Sequence, residues 1–138
     1  MSHWTWRARA LAALLALGCG AGAAAPVELR GETPGGARYL IVVPEGWRAG
    51  GPLVFVNHGF NFALDVDPDV GPLREVQLAQ GYALAASGFR GRGWALPFAL
   101  DDNAELLDVF RREVGEPGQI IPVGGSMGGI ISLKQAED

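Results

Sequence analysis

The 138-residue chain is poor in cysteine and in histidine. It holds one cysteine, Cys19, and two histidines, His3 and His58. A single thiol excludes any disulfide within the chain. No charge of one sign dominates: the formal net charge is −4, which gives no reason to expect a nucleic acid or another polyanion as partner. No apolar run is long enough to cross a bilayer as a helix, since the longest candidate, 10–17, falls well short of the roughly 20 residues required. Internal repeats and a domain linker are also absent. What remains, with 49% apolar residues and 21 glycines, is the composition of one ordinary globular domain.

The first residues read as a leader rather than as part of that domain. Arg7 and Arg9 precede the apolar run 10–17, and small residues follow over 18–25. This is the three-part layout of a secretory signal peptide, with Ala21-Gly22-Ala23 as a cleavage site. The expected division is a signal peptide over 1–23 and the folded domain over 24–138, with a secreted or periplasmic location. Leu17-Gly18-Cys19 gives an alternative, a lipoprotein site with Cys19 acylated, and membrane attachment is expected only in that case.

The rest of the chain alternates between strand and helix patterns. Segments 27–30 and 38–43 read as strands joined by the turn-rich Thr33-Pro34-Gly35-Gly36. The continuous apolar run 53–56 has the character of a strand buried on both faces. A polar, acidic loop over 57–71 leads to a helix at 73–80, with Pro72 at its start and Gly81 as its stop. A short strand follows at 82–86, then a glycine- and arginine-rich loop at 88–93. Leu100, Ala104, Leu107, Phe110 and Val114 recur at helical spacing and predict a helix with that face inward. Asp101, Asp102 and Glu105 are placed in its first turn, Arg111 and Arg112 near its end, and Gly115 and Pro117 beyond it. A strand at 119–123 and a final helix from about Met127 complete the order. The expected fold class is α/β, built on a mostly parallel sheet.

The most informative stretch is Gly124-Gly125-Ser126-Met127-Gly128-Gly129. It lies between the strand 119–123 and the final helix, the setting in which G-x-S-x-G forms a nucleophile elbow. A very sharp turn forces the serine hydroxyl up above the sheet, at a helix N-terminus that favours developing negative charge. Such a turn has no room for side chains two residues before and after the serine, the places of Gly124 and Gly128. A second signal lies upstream, where Asn57-His58-Gly59-Phe60 follows directly on the strand 53–56.

On these two motifs, and over residues 27–138, the chain resembles the N-terminal half of the α/β-hydrolase superfamily of serine hydrolases. The doubled glycines around Ser126 look most like those of prolyl-oligopeptidase-like peptidases, and secreted esterases are also similar. The resemblance implies a sheet of the α/β-hydrolase type, truncated after the elbow and its helix. It implies hydrolysis of an ester or peptide bond in a small substrate through an acyl-enzyme on Ser126. It also implies an oxyanion hole made by the backbone N–H of Met127 with one from Gly59 or Phe60, and His58 as a brace of that turn. No cofactor or metal is expected.

The departure from the family is that its triad acid and histidine follow the nucleophile, whereas Ser126 is followed by twelve residues without a histidine. Glu137 and Asp138 come too soon to serve as the acid. His58 as the base would have to reach Ser126 from the oxyanion turn. The reading is therefore of an incomplete hydrolase, inactive as this chain alone. The alternative is a catalytically silent fragment or binding module that keeps the elbow as architecture. A phosphate-binding loop is a weaker third reading, as no P-loop or dinucleotide glycine pattern occurs at the turn. Asp65, Asp67 and Asp69 resemble a calcium loop only in part, because Val70 and Val76 occupy its glycine and glutamate positions. Arg90, Arg92 and Trp94 follow the strand 82–86 at the sheet edge where ligands bind. They are candidates for contact with an acidic or aromatic substrate part, against the alternative of a surface loop with Trp94 tucked into the core.

Overall fold

A computed structural model describes residues 24–62 and 66–137. The expected signal peptide over 1–23, Cys19, Asp65 and Asp138 lie outside the described residues. The elements, in chain order, are β1 (Val27–Glu32), β2 (Arg38–Val43), β3 (Pro52–Asn57), α1 (Arg74–Ala79), β4 (Ala83–Ser87), α2 (Leu96–Glu113), β5 (Gln119–Gly124) and α3 (Met127–Glu137). Every strand and helix read from the sequence is present, with boundaries moved by one or two residues at most sites.

The expectation of a mostly parallel sheet of the α/β-hydrolase type is corrected. The five strands form one mixed sheet in the order β1-β2-β4-β3-β5. β1 pairs antiparallel with β2, and β2 antiparallel with β4. Only β4–β3 and β3–β5 are parallel. The cause is local. The turn at Thr33–Gly36 closes with the N–H of Gly36 donating to the Thr33 carbonyl at 2.9 Å, and Gly36 takes φ +90. A connection this short can only fold β2 back against β1. The β3–β4 pair is parallel across α1, and the β3–β5 pair is parallel across the longer connection through α1, β4 and α2.

Alternation along the strands sends two sets of side chains to opposite faces. Ile41, Leu53, Phe55, Ala83 and Ala85 pack against Leu106, Val109 and Phe110 of α2. Leu40, Val42, Val54, Leu84 and Ala86 pack on the other side with Val70 and with Leu78 of α1. The inner strands are thus covered on both faces, in keeping with the apolar run of β3 and with β4, which is buried throughout. β5 lies at the sheet's edge among the described residues, half-buried over Ile120–Val123.

Helix α2 also differs from its periodicity. It begins at Leu96 with a proline in its first turn, so Asp101 and Asp102 fall a turn later than expected. Its buried face is Ala99, Asp102, Asn103, Leu106, Val109 and Phe110. Two of those six are polar, which disguises the inward face in the sequence. Of the expected stripe, Leu100, Leu107 and Val114 are only half-buried and Ala104 is exposed. Leu100, Ala104 and Leu107 instead line an open groove with Ile120 and Pro122 of β5.

Asp102 has no exposure, and its carboxylate is matched by Arg90. One oxygen accepts the Arg90 backbone N–H at 2.8 Å and the other faces the Arg90 Nε. Arg90 also reaches Glu105 at 2.9 Å, and Glu105 accepts the Gly35 N–H at 2.7 Å. Arg90 is therefore taken up by structure: it ties the loop after β4 and the β1–β2 turn to α2. The Thr33 hydroxyl first, then the Gly35 N–H and Arg90, hold the Glu105 carboxyl below its usual range. A lowered folded-state value means stability that is present above the ordinary glutamate range, about 4.3, and lost as pH falls through the folded value. Two outcomes are expected in thermal melts. Arg90→Met, which strands the buried Asp102, lowers the melting temperature more than Arg92→Met. The stability gap between the natural protein and Glu105→Gln is widest near neutral pH and shrinks below pH of about 4. A gap independent of pH would contradict the assignment.

Candidate functional site

The C-terminal ends of β3 and β5 lie side by side, with Asn57 opposite Gly124 in the ladder. The chain then turns sharply from β5 into α3. Ser126 sits in the turn at φ +55, a left-handed conformation held by only one other non-glycine residue among those described, Phe89. Its carbonyl accepts the N–H groups of Gly129 at 2.9 Å and Ile130 at 3.4 Å, the first bonds of α3. The serine is thus the residue at which the helix starts, and it is exposed. The first N–H groups of a helix have no acceptor within it and point outward from that end.

Two glycines permit this turn. A Cβ on Gly124 would stand 2.6 Å from the Asn57 carbonyl oxygen and 2.6 Å from the Gly128 backbone. A Cβ on Gly128 would overlap the Asn57 carbonyl group and stand 2.9 Å from the His58 carbonyl oxygen. The start of α3 therefore packs backbone to backbone on the end of β3. Immediately beyond, a Cβ on Gly59 would lie 3.7 Å from the Ser126 Cβ and 3.6 Å from the Gly125 carbonyl oxygen. The sequence-derived residues Ser126, Gly59, Gly124 and Gly128 are consequently gathered at one point. Met127, the residue after the serine, is fully buried among Phe89, Ala95, Ala99 and Ile131. Its sulfur accepts the Ala95 N–H at 3.3 Å. This side chain pins the elbow to the loop after β4.

His58 stands at the other wall. Its Nδ1 is 2.6 Å from the Gly59 carbonyl and its Nε2 is 3.3 Å from the Gly88 carbonyl. The ring also stacks at 4.5 Å on Phe89. A carbonyl oxygen only accepts and a neutral imidazole carries one N–H, so the neutral ring donates to one of these two carbonyls. His58 in this arrangement links the turn after β3 to the loop after β4. Phe60, next to Gly59, is partly exposed and makes edge contacts with Phe62 at 4.5 Å and Trp94 at 5.5 Å.

Beneath the site lies a buried polar network that the motif reading missed. The Asn57 amide donates to the Ser132 hydroxyl and to the Gln135 side-chain oxygen, both at 3.0 Å. Its own oxygen accepts from Asn103 of α2 at 2.7 Å. Ser132 in turn donates to the Gly128 carbonyl at 2.8 Å. The network joins β3, α2 and α3 directly under the elbow. The signal available in the sequence was Asn57 itself, a polar residue closing an apolar strand.

Of the weaker candidates, Asp67 pairs with Arg38 at 2.7 Å and Asp69 accepts the Gly71 N–H at 3.0 Å. No group of three or more metal-ligating side chains occurs among the described residues. Trp94 is not tucked into the core but 58% exposed. Arg92 is exposed, and no ion pair of it occurs among those described.

No family model matches the chain. It is 30% identical over 111 residues to an o-phthalyl amidase of Xanthobacter agilis. That alignment takes in 78% of this chain and 23% of the amidase, so the chain spans about a quarter of the length of this curated relative.

The close approach at Gly128 gives a direct expectation. Gly128→Ala forces α3 off the end of β3 and costs about 1–3 kcal/mol, the usual penalty of overpacking. Gly125→Ala, where a Cβ meets nothing within 4 Å, costs less. Denaturant melts of the two variants check this, and equal costs would contradict it.

Proposed function

We propose that this chain carries the nucleophile side of a serine hydrolase site, in which Ser126 attacks the carbonyl of an amide or ester, the C–N or C–O bond breaks with release of the amine or alcohol, and the acyl group stays on Ser126. The observation that carries the reading is the exposed Ser126, strained at φ +55 at the head of α3 and within 3.7 Å of the Cβ direction of Gly59. In this reading the attacking Oγ and the carbonyl carbon meet above the elbow. The oxygen that becomes negative is held by the Met127 N–H and by an N–H from Gly59 or Phe60. Such donors act where charge develops, and removing one typically costs about 3–4 kcal/mol of transition-state stabilisation. The elbow and the Asn57–Phe60 turn resemble those of α/β-hydrolase enzymes, although the sheet beneath them is mixed. The amidase name of the relative favours an amide bond.

The proton of Ser126 needs an acceptor. His58 faces the Gly59 and Gly88 carbonyls. Export through the leader over 1–23 is part of the same proposal. The second reading, a silent module keeping the elbow as architecture, is favoured by that same engagement of His58.

The test is made on the protein expressed from its whole reading frame. A fluorophosphonate probe is expected to label Ser126, and Ser126→Ala is expected to remove both labelling and hydrolysis of a chromogenic amide, a loss on the order of a million-fold. Hydrolysis that survives Ser126→Ala would overturn the nucleophile assignment. A folded protein that neither labels nor hydrolyses would establish the silent reading.

A further inference from the structure

The loop after β3 and the loop after β4 are joined by more than His58. Asn61 and Gly93 form an isolated antiparallel bridge, with the Gly93 N–H donating to the Asn61 carbonyl at 2.7 Å. The bridge brings together three aromatic side chains that the rest of the fold leaves uncovered. Phe60, Phe62 and Trp94 are 38%, 81% and 58% exposed. Phe62 stands perpendicular to Phe60, and Trp94 meets Phe60 at 61°. Gly93 takes φ +63, and a Cβ there would be 3.4 Å from the Phe60 ring, so the loop closes up to that ring. Phe98 at the head of α2, 44% exposed, packs against Gly91 on the same loop. Four of the nine large exposed hydrophobic side chains among the described residues thus belong to one neighbourhood.

Exposed aromatics scattered singly need no explanation, but a contiguous set does. This set begins at the residue next to Gly59 and so is continuous with the elbow. Rings in edge-to-face contact leave faces free, and an aromatic guest gains both area burial and the preferred offset or T-shaped geometry. We propose that Phe60, Phe62 and Trp94 form the acyl-group site of this centre and receive a flat aromatic ring attached to the carbonyl under attack. The proposal rests on the reading of Ser126 for the word acyl, but the ring site itself does not require a nucleophile.

The experiment follows benzamide binding by NMR in the whole protein carrying Ser126→Ala, so that no chemistry intervenes. Benzamide is expected to shift the Trp94 indole and Gly93 amide signals saturably, while acetamide leaves them in place. Phe62→Ser and Trp94→Ser are each expected to weaken benzamide binding about fivefold or more. Both side chains are exposed, so thermal melts of these variants are expected to match the parent and keep the comparison valid. Benzamide that leaves Trp94 and Gly93 unmoved, or that binds the double variant as well as the parent, overturns the proposal. So does vesicle binding or self-association that disappears with Phe62→Ser and Trp94→Ser while benzamide does not bind, which assigns the wall to lipid or to a second copy. Fluorophosphonate labelling of the unsubstituted protein judges Ser126 separately. Labelling without benzamide binding defeats the ring site alone, and benzamide binding without labelling defeats the nucleophile alone.

Discussion

Two missing side chains decide the geometry of this protein's C-terminal third. At Gly124 and Gly128 the backbone of α3's first turn lies directly on the end of β3, in space that a single methyl group would fill. Because that contact is so close, the residue between them cannot relax into an ordinary helical or extended conformation. Ser126 is held at φ +55, exposed, beside Gly59. Strain of this kind costs of order 1–3 kcal/mol and persists only where the surroundings over-determine it. Here the surroundings are the parallel ladder of β3 with β5 and the buried Met127, which anchors the turn from below.

The network of Asn57, Asn103, Ser132 and Gln135 is the second support. A buried polar side chain is costly unless its hydrogen bonds are made. Asn57 makes three, to three residues on two helices, and so fixes the angle at which α2 and α3 meet the strand that leads into His58 and Gly59. Ser132 carries the constraint on to the carbonyl of Gly128. Elbow and turn are thereby fastened to one another both by close packing above and by hydrogen bonds below. The Asn61–Gly93 bridge and His58 extend the same frame to the loop after β4.

Much of this was legible in the residues. The order of strands and helices follows from apolar runs, helical spacing and the glycine and proline stops at Gly81, Gly115 and Pro117. The elbow follows from glycines placed two before and two after Ser126, a pattern whose physical meaning is lack of space. Strand direction was less legible: alternation of elements favours parallel pairing, but the four-residue turn at Thr33–Gly36 makes the first pair antiparallel, and β2 also runs antiparallel to β4. The inward face of α2 was hidden because Asp102 and Asn103 occupy it, one for Arg90 and one for Asn57. Of the two alternatives for Trp94, a substrate contact or a place in the core, the second is excluded: Trp94 is uncovered, and the bridge to Asn61 holds its loop beside Phe60.

The account turns on Ser126 being lifted out of the β5–α3 junction toward Gly59. The most direct measurement is the solution NMR structure of this junction, read through the Ser126 backbone coupling and the contacts of its β protons. The account predicts a positive φ at Ser126 and a clear Overhauser contact between its β protons and the α protons of Gly59. A negative φ with no such contact, in a protein whose β3–β5 ladder is intact, would contradict it.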